Sequence, residues 1–315
     1  MKAKIISLLH QATAPVSGQA ISQKLGVSRV AVWKHVRQLQ DAGCLIEATP
    51  KGYCLLELPD TPYPWAFGQR ADRVHYFPEL ASTMDQALAL ARDGAPQFTV
   101  VVADRQTRGR GRLQRPWQSA DGGLYFTFIL RPDLSPTASP LINLAAALDL
   151  ARTIEQQCKI HARLKWPNDV LVNDCKIAGI LSQMEAEADH VNFINLGIGL
   201  NVNNDPSDVQ PPAVSIAQMS GKRFSRVQLL NDFWERFERR MDVPALDGVV
   251  DEWKRRAVTL GRRVKIQTAR QTLEGLAADL DPDGGLILET NDGRRLKVVY
   301  GDCFHQGAPP AAKGS

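Results

Sequence analysis

The stretch TVVVADRQTRGRGRLQRPW, Thr99 to Trp117, joins an apolar run to a loop that carries four arginines within eight residues, Arg108, Arg110, Arg112 and Arg115. Val100, Val101 and Val102 read as a buried strand, because β-branched side chains suit a packed, pleated surface. The loop is chemically different. Glycines between arginines let the backbone approach a ligand closely, and guanidinium forks match phosphate or carboxylate oxygens. Ligands of α/β domains usually bind at strand ends, so the loop reads as a wrap around an anionic small molecule. An exposed basic loop, or an arginine-glycine patch for RNA, is the competing reading; the position directly after a strand favours the ligand.

Around this loop strand and helix signals alternate: strand Val74 to Phe77, helix Ser82 to Arg92, strand Leu124 to Leu130 and helix Leu141 to Gln157. Short strands follow around Arg163, Val170, Ile177 to Glu185 and Asn192 to Gly197. The pattern predicts a mixed sheet with flanking helices, closed by amphipathic helices over about Arg226 to Met241 and Leu246 to Leu260. From Gly261 the helical period is lost. Strands Val264 to Thr268, Leu273 to Asp281, Leu286 to Thr290 and Leu296 to Tyr300, separated by Asp283-Gly284-Gly285 and Asn291-Asp292-Gly293, predict a small SH3-like β-barrel. The tail Gly307 to Ser315 has no large apolar side chain and is expected to be disordered.

Upstream, Lys2 to Leu56 reads as three short helices and a hairpin, a winged helix-turn-helix. Ser28 is a plausible N-cap, and Val32, Val36 and Leu39 share one buried stripe of the third helix. Ser28, Arg29, Lys34, His35, Arg37 and, on the wing, Lys51 are left as candidates for DNA contact. A small helical domain with a merely solvated charged face is the alternative. Prolines 59, 62 and 64 mark a linker. The expected class is α+β in three domains: 1–58 for the winged helix, 66–260 for a central mixed-sheet α/β catalytic domain, and 261–305 for the β-barrel.

At 315 residues and 44% hydrophobic content the chain exceeds a single core. It has no run of about 18 apolar residues and no basic-then-apolar leader, so a cytoplasmic protein without a membrane segment is expected. The five cysteines show no metal-ligand spacing and read as reduced thiols rather than disulfides or a zinc site. A formal charge of +4 is too mild to argue for nucleic acid by itself.

Two further segments carry chemistry. Lys165-Trp166-Pro167-Asn168-Asp169 precedes Lys176-Ile177-Ala178-Gly179-Ile180-Leu181, where a lysine between the Asn173-Asp174 turn and an apolar strand can present a fixed ammonium inward. Taken alone, Lys176 reads more readily as one more surface lysine. Gly197-Ile198-Gly199-Leu200-Asn201-Val202-Asn203 puts glycines and asparagines at a strand end, which is weak evidence by itself.

Together these segments resemble the biotin protein ligases over nearly the whole chain, from Ser82-Thr83 through Gln106 to Trp117, KWPND, KIAGIL and GIGLNVN. VSRVAVWKHV, Val27 to Val36, is similar to the recognition helix of members that also repress biotin-synthesis genes. The resemblance implies that Ser82, Thr83, Met84, Gln106, Arg110, Gly111, Arg112 and Lys176 contact biotin, with Lys176, Arg110 and Arg112 also acting in catalysis. It further implies that Gly109, Arg115, Trp117, Asn168, Asp169 and Asn201 face ATP or the adenylate. The pattern departs from many relatives at Met84, where they have asparagine, and at Gln114, where they have glycine. ATP, biotin and Mg²⁺ are the implied ligands. Biotin carboxyl carrier protein, operator DNA and a second copy in a ligand-promoted dimer are the implied partners. A ligand-sensing transcription factor without catalysis would not need both Lys176 and the arginine loop; a lipoate-type ligase is not expected to pair GRGR with KWPND.

Overall fold

A computed structural model of the chain describes residues 1–187, 190–208, 212–268 and 270–306. The tail 307–315 and the side chain of Gln114, both addressed above, lie outside what is described. The chain divides into two compact units, Met1–Tyr76 with Ser225–Val227, and Phe77–Phe224 with Gln228–Ser315.

In the first unit α1 (Lys2–His10), α2 (Gly18–Leu25) and α3 (Arg29–Asp41) precede the antiparallel pair β1 (Leu45–Thr49) and β2 (Gly52–Glu57). Serines start two of the helices. Ser17 accepts from Ala20 N–H at 3.0 Å and Ser28 from Ala31 N–H at 3.1 Å, satisfying donors that a helix start leaves without an intrahelical acceptor. Ile5, Ile6, Leu9, Ile21, Val32, Val36 and Leu39 form the core. The proline-rich segment is more than a linker: Pro64–Arg73 forms 3-10 turns, with Pro64 where a missing N–H costs nothing, and Trp65 is buried in that same core.

The remaining elements in chain order are β3 (Val74–Leu80), α4 (Thr83–Arg92), β4 (Thr99–Gln106), β5 (Leu124–Leu130), α5 (Ser139–Cys158), β6 (Arg163–Lys165), β7 (Asp169–Val172), β8 (Cys175–Glu187) and β9 (His190–Leu200). They continue with α6 (Ile216–Ser220), α7 (Arg226–Met241), α8 (Val249–Arg256), β10 (Arg263–Gln267), β11 (Thr272–Leu280), β12 (Leu286–Glu289), β13 (Arg295–Val298) and β14 (Asp302–Gln306). The large sheet has the order β3-β4-β5-β9-β8-β7-β6, and every neighbouring pair from β4 onward is antiparallel. β5 is buried at every position, LYFTFIL, as befits a central strand covered on both faces. α5 buries Leu141, Leu144, Leu148 and Ala151 as well as Ile142, Ala146 and Leu150, the all-round burial of a helix enclosed by the domain.

The closing helix expected over Leu246 to Leu260 is shorter. Gly248 has a left-handed φ of +77° and α8 ends before Ala257, whose extended backbone stops the helix. The C-terminal sheet has the order β13-β12-β11-β10-β14 and is antiparallel throughout. Its last strand, β14, is absent from the sequence reading because Gly301 and Asp302 look like turn residues. Gly301, at φ +134°, lets the chain reverse into β14 beside β10. No helix of the described residues is long and apolar enough to cross a membrane.

Candidate functional site

The start of α4 is built unusually. Ser82 stands at the N-cap position, yet its hydroxyl makes no capping bond; it is buried and finds no partner among the described residues. The side chain of Gln106, at the end of β4, takes over instead: its Oε1 accepts from Thr83 N–H at 2.7 Å and from Thr83 Oγ1 at 3.1 Å. Thr127 on β5 donates to Thr83 Oγ1 at 2.9 Å, and Gln106 Nε2 donates to Ser119 Oγ at 2.9 Å. Gln106 and Thr127 thus engage the Thr83 groups, while the neighbouring Ser82 hydroxyl makes no hydrogen bond among the described residues. A buried polar atom left in this way costs about 1–3 kcal/mol until a ligand or water satisfies it.

From Ser82 runs a cavity of about 770 Å³, the size of small-molecule sites. Its floor is bare. Gly179 on β8 pairs with Gly199 on β9, and a Cβ on Gly199 would stand 2.4 Å from the Trp117 indole. A Cβ on Gly197 would meet Met84 Sδ at 2.6 Å. The glycines of KIAGIL and GIGLNVN therefore let Trp117 and Met84 lie directly on the strands. Trp117 Nε1 is a second buried polar atom without a partner among the described residues.

The arginine loop folds back as a narrow ribbon: Trp117 N–H donates to Gly109 O at 2.9 Å and Gly111 N–H to Arg115 O at 2.7 Å. Its arginines reach different partners. Arg110 pairs closely with Asp85 on α4, while Arg112 donates to Asn168 Oδ1 at 3.0 Å. Burial pulls the Arg112 guanidinium below its usual pKa, an effect that Asp302 and Asp169 oppose; it remains a cation. Lys176, on β8, places Nζ 2.6 Å from Asp169 Oδ1 and 5.3 Å from the centre of the Trp117 ring. Its backbone is fixed by Pro212 O, which accepts from Lys176 N–H at 3.0 Å.

Ser82, Thr83, Met84, Gln106, Arg110, Gly111, Arg112, Arg115, Trp117, Asn168, Asp169, Lys176 and Asn201 all line this one cavity. Gly109 does not; its carbonyl accepts from Trp117 N–H within the loop. Lys165, Trp166, Arg262, Asp302, Cys303 and His305 also line it and were missed in the sequence. The last four come from the C-terminal sheet and its approach. They carry no motif, and the place of Asp302, Cys303 and His305 depends on the unrecognised strand β14. Burial pushes the Cys303 thiol up to about 12, so it is a neutral wall group and not a nucleophile.

His305 hydrogen-bonds Thr259 Oγ1 at 3.2 Å; burial first, then the charges of Lys165 and Arg262, lower its pKa to about 4. The unfolded ring titrates near 6.5 and takes a proton that the folded ring refuses between those values. Its stabilising contribution is whole above about 6.5 and is lost as pH falls toward 4. Thermal melts from pH 7 to 4 should therefore fall less steeply for His305→Gln than for the unsubstituted chain, and parallel curves would refute this.

On α3, Ser28, Arg29, Lys34 and Arg37 are exposed, as is Lys51 in the β1–β2 turn. His35 is half-buried with Nδ1 turned inward, and is partly a packing residue. Val30 and Trp33, 73% and 56% exposed, share the open surface with the cations and were not picked out from the sequence.

Residues 76–203 match the biotin/lipoate A/B protein ligase family, 2–54 a helix-turn-helix domain, and 259–306 the biotin protein ligase C-terminal domain. Fold and site thus define a ligase of the biotin and lipoate class behind a helix-turn-helix unit. The bifunctional ligase/repressor BirA of Bacillus subtilis (strain 168) is 37% identical, over 95% of this chain and 97% of that protein. A biotin–[acetyl-CoA-carboxylase] ligase of Paracoccus denitrificans is 32% identical over 68% of this chain and 93% of its own length. The structure of the Aquifex aeolicus biotin protein ligase in complex with biotin and ATP is similar at a TM-score of 0.63 and 27% identity, covering 75% of this chain and 99% of that one. The chain belongs to the biotin protein ligases, in the form that carries an N-terminal helix-turn-helix domain.

Proposed function

We infer that this protein is an ATP-dependent biotin ligase, which forms biotinoyl-AMP and passes biotin to a lysine of biotin carboxyl carrier protein, in the cytoplasm. The observation that carries the reading is one cavity with an unspent hydroxyl at Ser82 and cations, Lys176 and Arg112, lining the same space. A neutral ring system that both donates and accepts suits the Ser82, Thr83 and Gln106 end. The cationic groups suit a carboxylate and a phosphate. Trp117, whose buried Nε1 has no partner among the described residues and whose ring lies on the glycine floor, and Asn201 are the residues assigned to the nucleotide side.

The biotin carboxylate attacks the α-phosphorus of ATP, pyrophosphate leaves, and the mixed anhydride is then attacked by the carrier's amine. This chain needs no nucleophile of its own. Lys176 and Arg112 hold fixed positive charge where negative charge gathers, with Arg110 and Arg115 closing from the loop. Mg²⁺, when bound with ATP, would offset phosphate charge; its candidate oxygen donors, Asn168 Oδ1 and Asp169 Oδ1, are each engaged by a cation here, Arg112 and Lys176. The purified protein mixed with biotin and MgATP should yield bound biotinoyl-AMP by mass spectrometry. A lipoyl adenylate in the parallel lipoate reaction would move the chain to the sister class, and no adenylate at all would leave a ligand sensor.

The arginine loop must also keep the anhydride from water and stray amines. Arg110→Gly breaks the tie to Asp85 and should label crude protein indiscriminately, about tenfold or more above wild type on a streptavidin blot; unchanged selectivity would contradict the loop's role. The exposed cations of α3 and Lys51 favour a second activity, repression of biotin-synthesis genes by a dimer that biotinoyl-AMP promotes on a two-half-site operator. Such binding should weaken steeply with salt, and a gel shift indifferent to salt would count against it.

A further inference from the structure

β14 carries a carboxylate into the arginine loop. The Asp302 side chain is only 12% exposed, and its Oδ2 is buried and accepts no well-aligned hydrogen bond among the described residues. Two loop guanidiniums meet its charge: Arg115 Nη1 lies 2.9 Å from Oδ2 and Arg112 Nη2 lies 3.8 Å from Oδ1. Phe304, on the same face of β14 by the two-residue period of a strand, stacks beneath Arg115, whose guanidinium carbon is 5.5 Å from the ring centre. At its other side Arg112 donates to Asn168 of the KWPND turn. Its guanidinium is therefore strung between the large sheet and the C-terminal sheet. Arg112 and Arg115 repel each other, and Asp302, paired with both, offsets this.

We propose that Asp302 is the positioning carboxylate of the arginine loop, holding Arg112 in place for adenylate chemistry and making the small C-terminal sheet a working part of the loop's closure. The role in catalysis rests on the ligase reading; the holding of the loop does not. Long arginine side chains lose much rotamer freedom when fixed, and a protein that fixes them beforehand does not meet that cost at the transition state. Asp302 touches neither reacting atom by this account and acts through Arg112.

The test uses the full-length chain with Asp302→Asn, which keeps shape and removes charge, and Arg115→Gln, which cuts the same contact from the half-exposed loop side. Without ligands, trypsin should nick the segment Arg108 to Arg112 about tenfold faster in either variant, with other sites unchanged, since cleavage follows the open population. With biotin and MgATP, kcat for adenylation should fall about tenfold with the KM for biotin unchanged, and the double variant should be no worse than the more impaired single one. Asp302→Glu should recover part of the loss. Unchanged nicking would overturn the proposal, as would additive losses, or a faster reaction in Asp302→Asn, which would mean the carboxylate withholds the arginines. If the unsubstituted chain makes no biotinoyl-AMP, the ligase reading fails while the nicking result still decides whether Asp302 holds the loop.

Discussion

Lys176→Ala is expected to fold normally and to form biotinoyl-AMP at least about a hundredfold more slowly, the loss typical of removing one fixed donor worth about 3 kcal/mol at a developing charge. The ammonium is held from several sides. Strand β8 fixes its backbone, Asp169 accepts at 2.6 Å, and the Trp117 ring lies 5.3 Å away. A group so preorganised needs little rearrangement when negative charge builds on the phosphate oxygens. Lys176→Arg should restore little, because a planar fork cannot occupy the place of a compact point charge between Asp169 and an indole. Folding should survive because the side chain is partly open to the cavity, where water can solvate Asp169 once the lysine is gone. Pyrophosphate release followed alongside a thermal melt separates these effects. Near wild-type turnover in a folded Lys176→Ala protein would remove Lys176 from the mechanism and leave Arg112 as the principal cation.

Elements with strong local signals were legible in the sequence. The α3 stripe of Val32, Val36 and Leu39, the Ser28 cap and the β-branched run of β4 each have a short-range cause, and the structure has them where the sequence puts them. The arginine loop and Lys176 could be singled out because their composition is unusual. Asp302 and His305 could not, because they follow a tight turn in a strand without motif, and only long-range pairing with β10 brings them to the cavity. The Ser82 hydroxyl was marked by the family resemblance, but nothing in its local sequence gives that signal. A serine before a helix reads as a cap, and it becomes a binding group only because Gln106, 24 residues onward in the chain, has taken the α4 backbone donor. Glycines 179, 197 and 199 gave a weak signal whose meaning, a bare floor beneath Trp117 and Met84, depends on strands β8 and β9 lying side by side. Val30 and Trp33 carry no charge to mark them as contact residues, and only the fold leaves them on the open side of α3.

Arg240→Met should show the opposite pattern to Lys176→Ala: a large loss of stability with the chemistry kept. Asp149 on α5 is wholly buried, and Arg240 on α7 meets it with two hydrogen bonds of 2.8 and 2.9 Å. Arg240 also reaches Glu252 on α8 at 3.3 Å, and Arg152 pairs with the same carboxylate at 2.9 Å. Three helices are tied through one guanidinium. Removing it strands a carboxylate in a dry interior, which costs about 3–5 kcal/mol, or roughly 6–20 °C in Tm for a unit of this size. The double variant Asp149→Leu with Arg240→Met removes the charge together with its partner and should regain most of the loss, since a well-packed apolar pair often matches a buried ion pair. None of these four residues lines the cavity that holds Lys176, so adenylation well below the melting temperature should stay near wild type in both proteins. Saturating biotin and MgATP should raise the Tm of each, because ligand binds only the folded form. A single variant that melts like the wild type would show that the charges of Arg152 and Arg236 offset Asp149 without Arg240; one that folds but cannot adenylate would place the α5–α7–α8 network inside the mechanism instead of behind it.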